Sequence, residues 1–324
     1  MKKRIISVLL ATVFALSVIG CGTKDTKEQD AYRQYGITCM ESGKYEDAVK
    51  AFQNALGESI GHIGEKELDI CFYKAKAQVL DGKTKDALAT YNAIIKYNKD
   101  ARAYYLRGDL YMDMGEEKKG RADFESAVQQ GKKNYEIYIG IYESLSRHEK
   151  KDEGQKYLSA AMEIKGDKPE DELYKGRISY LLGENKDAIS YLEKAKEHKQ
   201  MLASYYLGLA YDANGDSDKA KKCIAEYIKS GVATSYDLYE LGMQEMQDGN
   251  YKNALTYFNS GLELEKVPNK QNLMKSAIAA YEYSGDFDSA KKMMKEYLKA
   301  YPDDEEAKHE NTFLETRQWV NQLF

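Results

Sequence analysis

The sequence predicts an all-α protein, a solenoid of stacked helical hairpins behind a short N-terminal leader. Three observations carry that expectation. Only 3 of the 324 residues are proline, so few positions interrupt a helix. A spaced pattern of small residues returns at near-constant intervals along most of the chain. After the leader, no apolar run approaches the roughly 20 residues that a membrane-spanning helix needs.

The leader comes first. Lys2, Lys3 and Arg4 form a basic start, and Ile5 to Ile19 is a stretch of apolar or small residues. It is shorter than the roughly 20 residues of a spanning helix, so residues 1–20 read as a secretory signal. The stretch ends Val18-Ile19-Gly20-Cys21, which resembles the lipobox of bacterial lipoproteins. That resemblance implies cleavage after Gly20 and diacylation of the Cys21 thiol, with two acyl chains holding the protein stably to a membrane. An ordinary signal peptide with an incidental Cys21 is the other reading. Residues 21–30 are then the lipidated cysteine and a polar, flexible tether, and the remainder faces the extracytoplasmic side, at an outer surface or in a periplasm.

Next comes the repeat. Glycine, six residues, glycine, four residues and alanine recur as Gly36/Gly43/Ala48, Gly176/Gly183/Ala188, Gly208/Gly215/Ala220 and Gly242/Gly249/Ala254. Partial copies are Ala75/Gly82/Ala87, Gly108/Gly115/Gly120 and Ile278/Gly285/Ala290, and a degraded one is Tyr142/Glu149/Gly154. The last members fall at 48, 87, 120, 154, 188, 220, 254 and 290. Small residues at the first and third places let two antiparallel helices cross at about 8–10 Å. The middle glycine ends the first helix in a left-handed conformation. Cap-forming residues then open the second helix, as in Gly215-Asp216-Ser217-Asp218.

The period resembles that of the tetratricopeptide repeat, a helix-turn-helix unit of about 34 residues. The third unit fits through Tyr104, Gly108, Tyr111, Gly120, Phe124 and Ala127, and the last ends in Pro302. The resemblance implies a right-handed α-solenoid superhelix of about eight units over residues 31–302. Residues 303–324, with Phe313, Leu314 and Trp319, are expected to form a C-terminal capping helix, because an uncapped terminal unit exposes its apolar stripe; a docking helix for a partner is the alternative. Two departures stand out. Tyr142 and Glu149 replace glycines in the fourth unit, so its hairpin is expected to splay or turn differently. The first interval is long and holds Gly57, Gly61 and Gly64, which reads as a loop insertion.

Composition narrows the function. The formal charge of −5 becomes −8 once Lys2, Lys3 and Arg4 are removed, which argues against nucleic acid. His62, His148, His198 and His309 are scattered and show no metal-ligand spacing. Asp212, Asn214, Asp216 and Asp218 begin like a calcium loop but lack its glycine and closing glutamate. No catalytic fingerprint is present, so neither an enzyme, a cofactor nor a small-molecule substrate is expected. Cys39, Cys71 and Cys223 read as buried free thiols, with a Cys39–Cys71 pair as the alternative.

The resemblance also implies where a partner binds: on the concave face lined by the first helix of each unit. The corresponding residues here are Phe72, Tyr73, Arg102, Tyr105, Tyr174, Arg177, Tyr180, Tyr205, Tyr206, Tyr236, Tyr239 and Tyr283, with Asp109, Asp212 and Glu240 interleaved. Tyrosine gives large contact area with few rotamers to freeze. The expectation is a tyrosine-lined groove for another protein's segment, unless these rings pack only between units. The lysine and two asparagines with which the family clamps a carboxylate end are not matched. A scaffold or adaptor is the leading reading, and a cell-wall glycan or peptidoglycan binder, stacking sugars on rings, is the alternative.

Overall fold

The computed structural model describes residues 27–59, 63–166 and 168–321, with side chains as far as Thr316. The predicted leader, Cys21 and tether residues 22–26 lie outside the described residues, as do Gly61, His62, the Trp319 side chain and residues 322–324. Among the described residues there are seventeen α-helices and no strand.

Sixteen helices form eight antiparallel hairpins. The first four are α1 (Lys27–Glu41) with α2 (Tyr45–Gly57), α3 (Glu65–Leu80) with α4 (Thr84–Asn98), α5 (Ala101–Asp113) with α6 (Glu117–Gln130), and α7 (Tyr135–Arg147) with α8 (Lys151–Met162). The others are α9 (Pro169–Leu182) with α10 (Asn185–Glu197), α11 (Leu202–Ala213) with α12 (Ser217–Lys229), α13 (Ser235–Gln247) with α14 (Tyr251–Leu262), and α15 (Lys270–Ser284) with α16 (Phe287–Ala300). Helix α17 (Glu305–Asn321) follows alone.

The turn chemistry is the one the glycines predict. Gly183 and Gly215 sit at φ 83° and 85°, and the next amide donates back across the turn, Asp216 N–H to the Tyr211 carbonyl at 2.8 Å. These are helix ends closed by a left-handed residue. The fourth hairpin corrects the expectation of a different turn. Glu149 adopts the same conformation at φ 62°, and Lys150 N–H reaches the Leu145 carbonyl at 2.8 Å. It does not splay either. A Cβ on Gly154 would lie 3.1 Å from Tyr142 Cα, so the small residue on the second helix alone permits the close crossing. The Tyr142 side chain turns toward Leu158 and Ile178 instead.

Elsewhere the crossing depends on glycine in the first helix. A Cβ at Gly242 would fall 2.3 Å from the Phe258 ring, and one at Gly176 would fall 2.4 Å from Leu192. The core is a chain of such local clusters. Ala188, Leu192 and Ala195 of α10 meet Ala203, Leu207 and Ala210 of α11, and each hairpin thus covers the next.

Both ends are built from local contacts. Helix α1 begins inside the stretch expected to be tether, and its residues 27–30 form a first turn in which Gln29 is buried and donates to Glu67 at 3.0 Å. Helix α17 buries Ala307 and Leu314 against Met274, Ile278 and Met294, closing the last unit as a cap. Cys39 and Cys223 are buried, Cys71 is half-buried, and all three thiols are free.

Candidate binding surface

The first helices of successive hairpins lie side by side, and polar bonds between them record it. Arg33 of α1 holds Asp69 of α3, with Nε donating at 2.8 Å. Asp109 of α5 accepts from both Ser144 and Arg147 of α7 at 2.5 Å. Arg177 of α9 donates to Glu143 of α7 at 2.9 Å, and the Tyr174 hydroxyl donates to Glu136 at 3.1 Å. Burial raises the pKa of Asp109, while Arg147 and the Ser144 hydroxyl oppose the rise.

Most residues predicted for the groove are locked into this row. Phe72 lies under the Arg102 guanidinium at 4.5 Å, and Arg102 also grips Asp100 with two hydrogen bonds. Tyr73 stacks on Phe52 at 5.6 Å, beneath Arg33. The Tyr105 ring leans on Phe124 and occupies the space above Gly140, where a Cβ would lie 2.6 Å from it. Tyr174 stacks on Tyr135 at 5.2 Å and 9°. Arg177 reaches over Tyr206 at 5.4 Å. In units two to five, the packing of rings between hairpins therefore accounts for most of the aromatic content.

The later rings pack within the chain as well. Tyr205, only 9% exposed, is wedged between Tyr206 and Tyr227 and belongs to the core. Burial lifts its hydroxyl well above the usual range, and lifts that of Tyr206 to about 12 against the pull of Arg177. Tyr180 packs on the cluster joining α10 to α11. Tyr236 and Tyr239 are half-buried, and Tyr239 leans on Phe258 at 6.2 Å. Tyr283 is 68% exposed, but it stacks on Tyr251 at the hairpin-turn edge rather than joining the other rings.

These observations, together with the comparisons, decide the repeat type. A tetratricopeptide repeat model matches residues 74–135, and a second matches residues 202–230 and 271–304. The chain carries tetratricopeptide repeats over those residues. No curated protein matches it in sequence. Similar solved structures include a tetratricopeptide repeat protein from Parabacteroides merdae, with 12% identity and a TM-score of 0.46 over 79% of this chain and 99% of that one. The Cut9–Hcn1 hetero-tetramer of the APC/C shares 16% identity, with a TM-score of 0.43 over 88% of this chain and 55% of that one. PilW, a type IV pilus biogenesis factor, shares 18% identity, with a TM-score of 0.43 over 64% of this chain and 97% of that one.

Across the tetratricopeptide face the charges are unevenly satisfied. Among the described residues, Asp212 on α11 and Glu240 on α13 are exposed carboxylates outside the cross-helix ion pairs. Burial raises the Tyr236 hydroxyl, followed by Tyr45 and Glu41, the residues flanking the first turn. The cross-helix pairs had a sequence signal: Arg33/Asp69, Asp109/Arg147 and Glu143/Arg177 are opposite charges about one repeat apart.

Proposed function

We propose that this chain is an extracytoplasmic lipoprotein, held to a membrane through Cys21, whose solenoid captures a segment of another protein. Tetratricopeptide repeats generally act as non-catalytic scaffolds for protein–protein interaction. The observation that carries the reading is the face of α11 and α13. There Leu209, Tyr239 and Met243 are half-buried, and Asp212 and Glu240 on the same two helices are exposed. Anchoring is read from Val18-Ile19-Gly20-Cys21.

Two measurements test it. Metabolic labelling with a fatty acid should mark the wild-type chain and not Cys21→Ser, which should also leave the membrane fraction; labelling that survives the substitution overturns the anchor. A photo-crosslinking residue in place of Tyr239 should trap one or two envelope proteins in the native cell, and one in place of the convex Glu125 should not. Equal yields from the two positions sink the groove.

A further inference from the structure

A separate groove opens between α2 and α4, the second helices of the first two hairpins. Its floor is one face of α3, formed by Leu68, Cys71, Lys74 and Gln78. Its volume of about 660 Å³ lies in the range of small-ligand sites. One end is apolar. Leu68 and Ile94 are buried there, while Ile63 and Tyr97 are 47% and 53% exposed. The Tyr97 hydroxyl donates to the Ile63 carbonyl at 2.8 Å, which bounds the groove on that side. The opposite end is charged and satisfied within the chain. Lys83 pairs with Asp81 at 2.8 Å and is drawn further by Glu46 and Asp86, and Lys50 pairs with Glu46 at 3.1 Å.

The middle of the floor is not satisfied. Lys74 is half-buried and has no ion pair among the described residues. Its charge acts on Cys71, opposing the rise that burial gives the thiol. Gln78, four residues on, is only 5% exposed. Its Oε1 accepts from the Thr90 hydroxyl at 2.8 Å, and its Nε2 has no partner among the described residues. Residues four apart share a helix face, so an ammonium and an amide donor stand together beside the apolar end. Covering them with hydrocarbon alone would leave both unpaired, which is costly. A carboxylate would take a charge-assisted bond from the one and a hydrogen bond from the other.

We propose that this groove binds a small amphiphilic carboxylate, its hydrocarbon body on Leu68, Ile94 and Tyr97 and its carboxylate on Lys74 Nζ and Gln78 Nε2. The Tyr97–Ile63 bond at one end and the Lys83 ion pairs at the other suit a short molecule better than a peptide running through. The site is distinct from the α11–α13 face and does not depend on it.

The probe is decanoate below its micelle concentration, added to residues 21–324 carrying Cys21→Ser so that no acyl chain of the protein competes. Alkylation of Cys71 by a maleimide, followed by mass spectrometry, reports occupancy of the groove, with the buried Cys39 and Cys223 as references. Decanoate should slow the reaction of Cys71 alone. Lys74→Met should raise the half-effect concentration about tenfold, with the melting temperature unchanged. Lys50→Met, which removes a cation already paired at the same groove, should leave it unaltered. Equal loss in the two variants would assign the attraction to net charge and overturn the inference. Equal protection by decanol would remove the carboxylate, and stronger protection by decyltrimethylammonium would reverse the charge; either result overturns it. So does a Cys71 that reacts at the same rate with and without decanoate.

Discussion

Glu149 shows how much a single position can carry here. It holds the left-handed turn conformation that glycine supplies in the other seven hairpins, at φ 62°. Left-handed backbone costs a non-glycine residue about 1–2 kcal/mol. Glu149→Gly is therefore expected to raise stability by about 1 kcal/mol, read from the denaturation midpoint at unchanged slope. The tyrosines divide the same way, by burial rather than by name. Tyr205→Ala should cost about 3 kcal/mol, as for other large aromatic truncations in a core, because its ring fills the space between Tyr206, Tyr227 and Leu238. Tyr283→Ala should change stability by less than about 0.5 kcal/mol. Thermal melts of the two variants separate them directly.

At the scale of an element, α17 is the informative case. Asp304 precedes it and ties three parts together, accepting from Lys275 at 2.7 Å, the Tyr297 hydroxyl at 2.5 Å and Ala307 N–H at 3.1 Å. Those donors, Lys275 first, hold its carboxyl well below the ordinary range. A carboxylate with a depressed folded-state pKa stabilises fully above its unfolded value, about 3.9, and loses that contribution as pH falls below it. Acidification should therefore loosen α17 before the rest, seen as earlier amide exchange over residues 305–316. Asp304→Asn should show that faster exchange already at neutral pH and lose its acid dependence. The fourth hairpin teaches a related lesson. Its Gly154 alone secures the close crossing, so Gly154→Leu should be severely destabilising although the paired position is already a tyrosine.

For the whole molecule, the two ends are not equivalent. The outer stripe of α1 leaves Tyr32 37% and Tyr35 57% exposed, whereas α17 covers the last unit. In a linear array, stability is the sum of units and nearest-neighbour interfaces, so among the described residues fraying should begin at α1. Hydrogen exchange should be fastest in α1 and α2 and slowest in α7, where Ile137, Ile139, Ile141, Ser144 and Leu145 are all buried. Uniform protection along the chain would contradict this. The groove is also a property of the whole. Ladders such as Asp109–Arg147 and Glu143–Arg177 link alternate helices and set how closely the first helices approach.

The sequence by itself determined the repeat, and the turns and small-residue crossings of every hairpin but the fourth. All of these rest on contacts within one unit or with its immediate successor, and such contacts recur at fixed spacing. Tertiary structure alone decided which predicted groove residues face a neighbour and which face outward. Phe72, Tyr105 and Tyr239 each stand three residues before their unit's first small residue, and nothing in their local pattern separates them. The difference lies in what the neighbouring hairpin presents: a glycine that admits the Tyr105 ring at Gly140, a stacking ring at Tyr135 for Tyr174, or the Ser276 hydroxyl that reaches Met243 of α13 at 3.6 Å. Periodicity fixes where side chains start along a helix, but the curvature of the stack fixes what they meet.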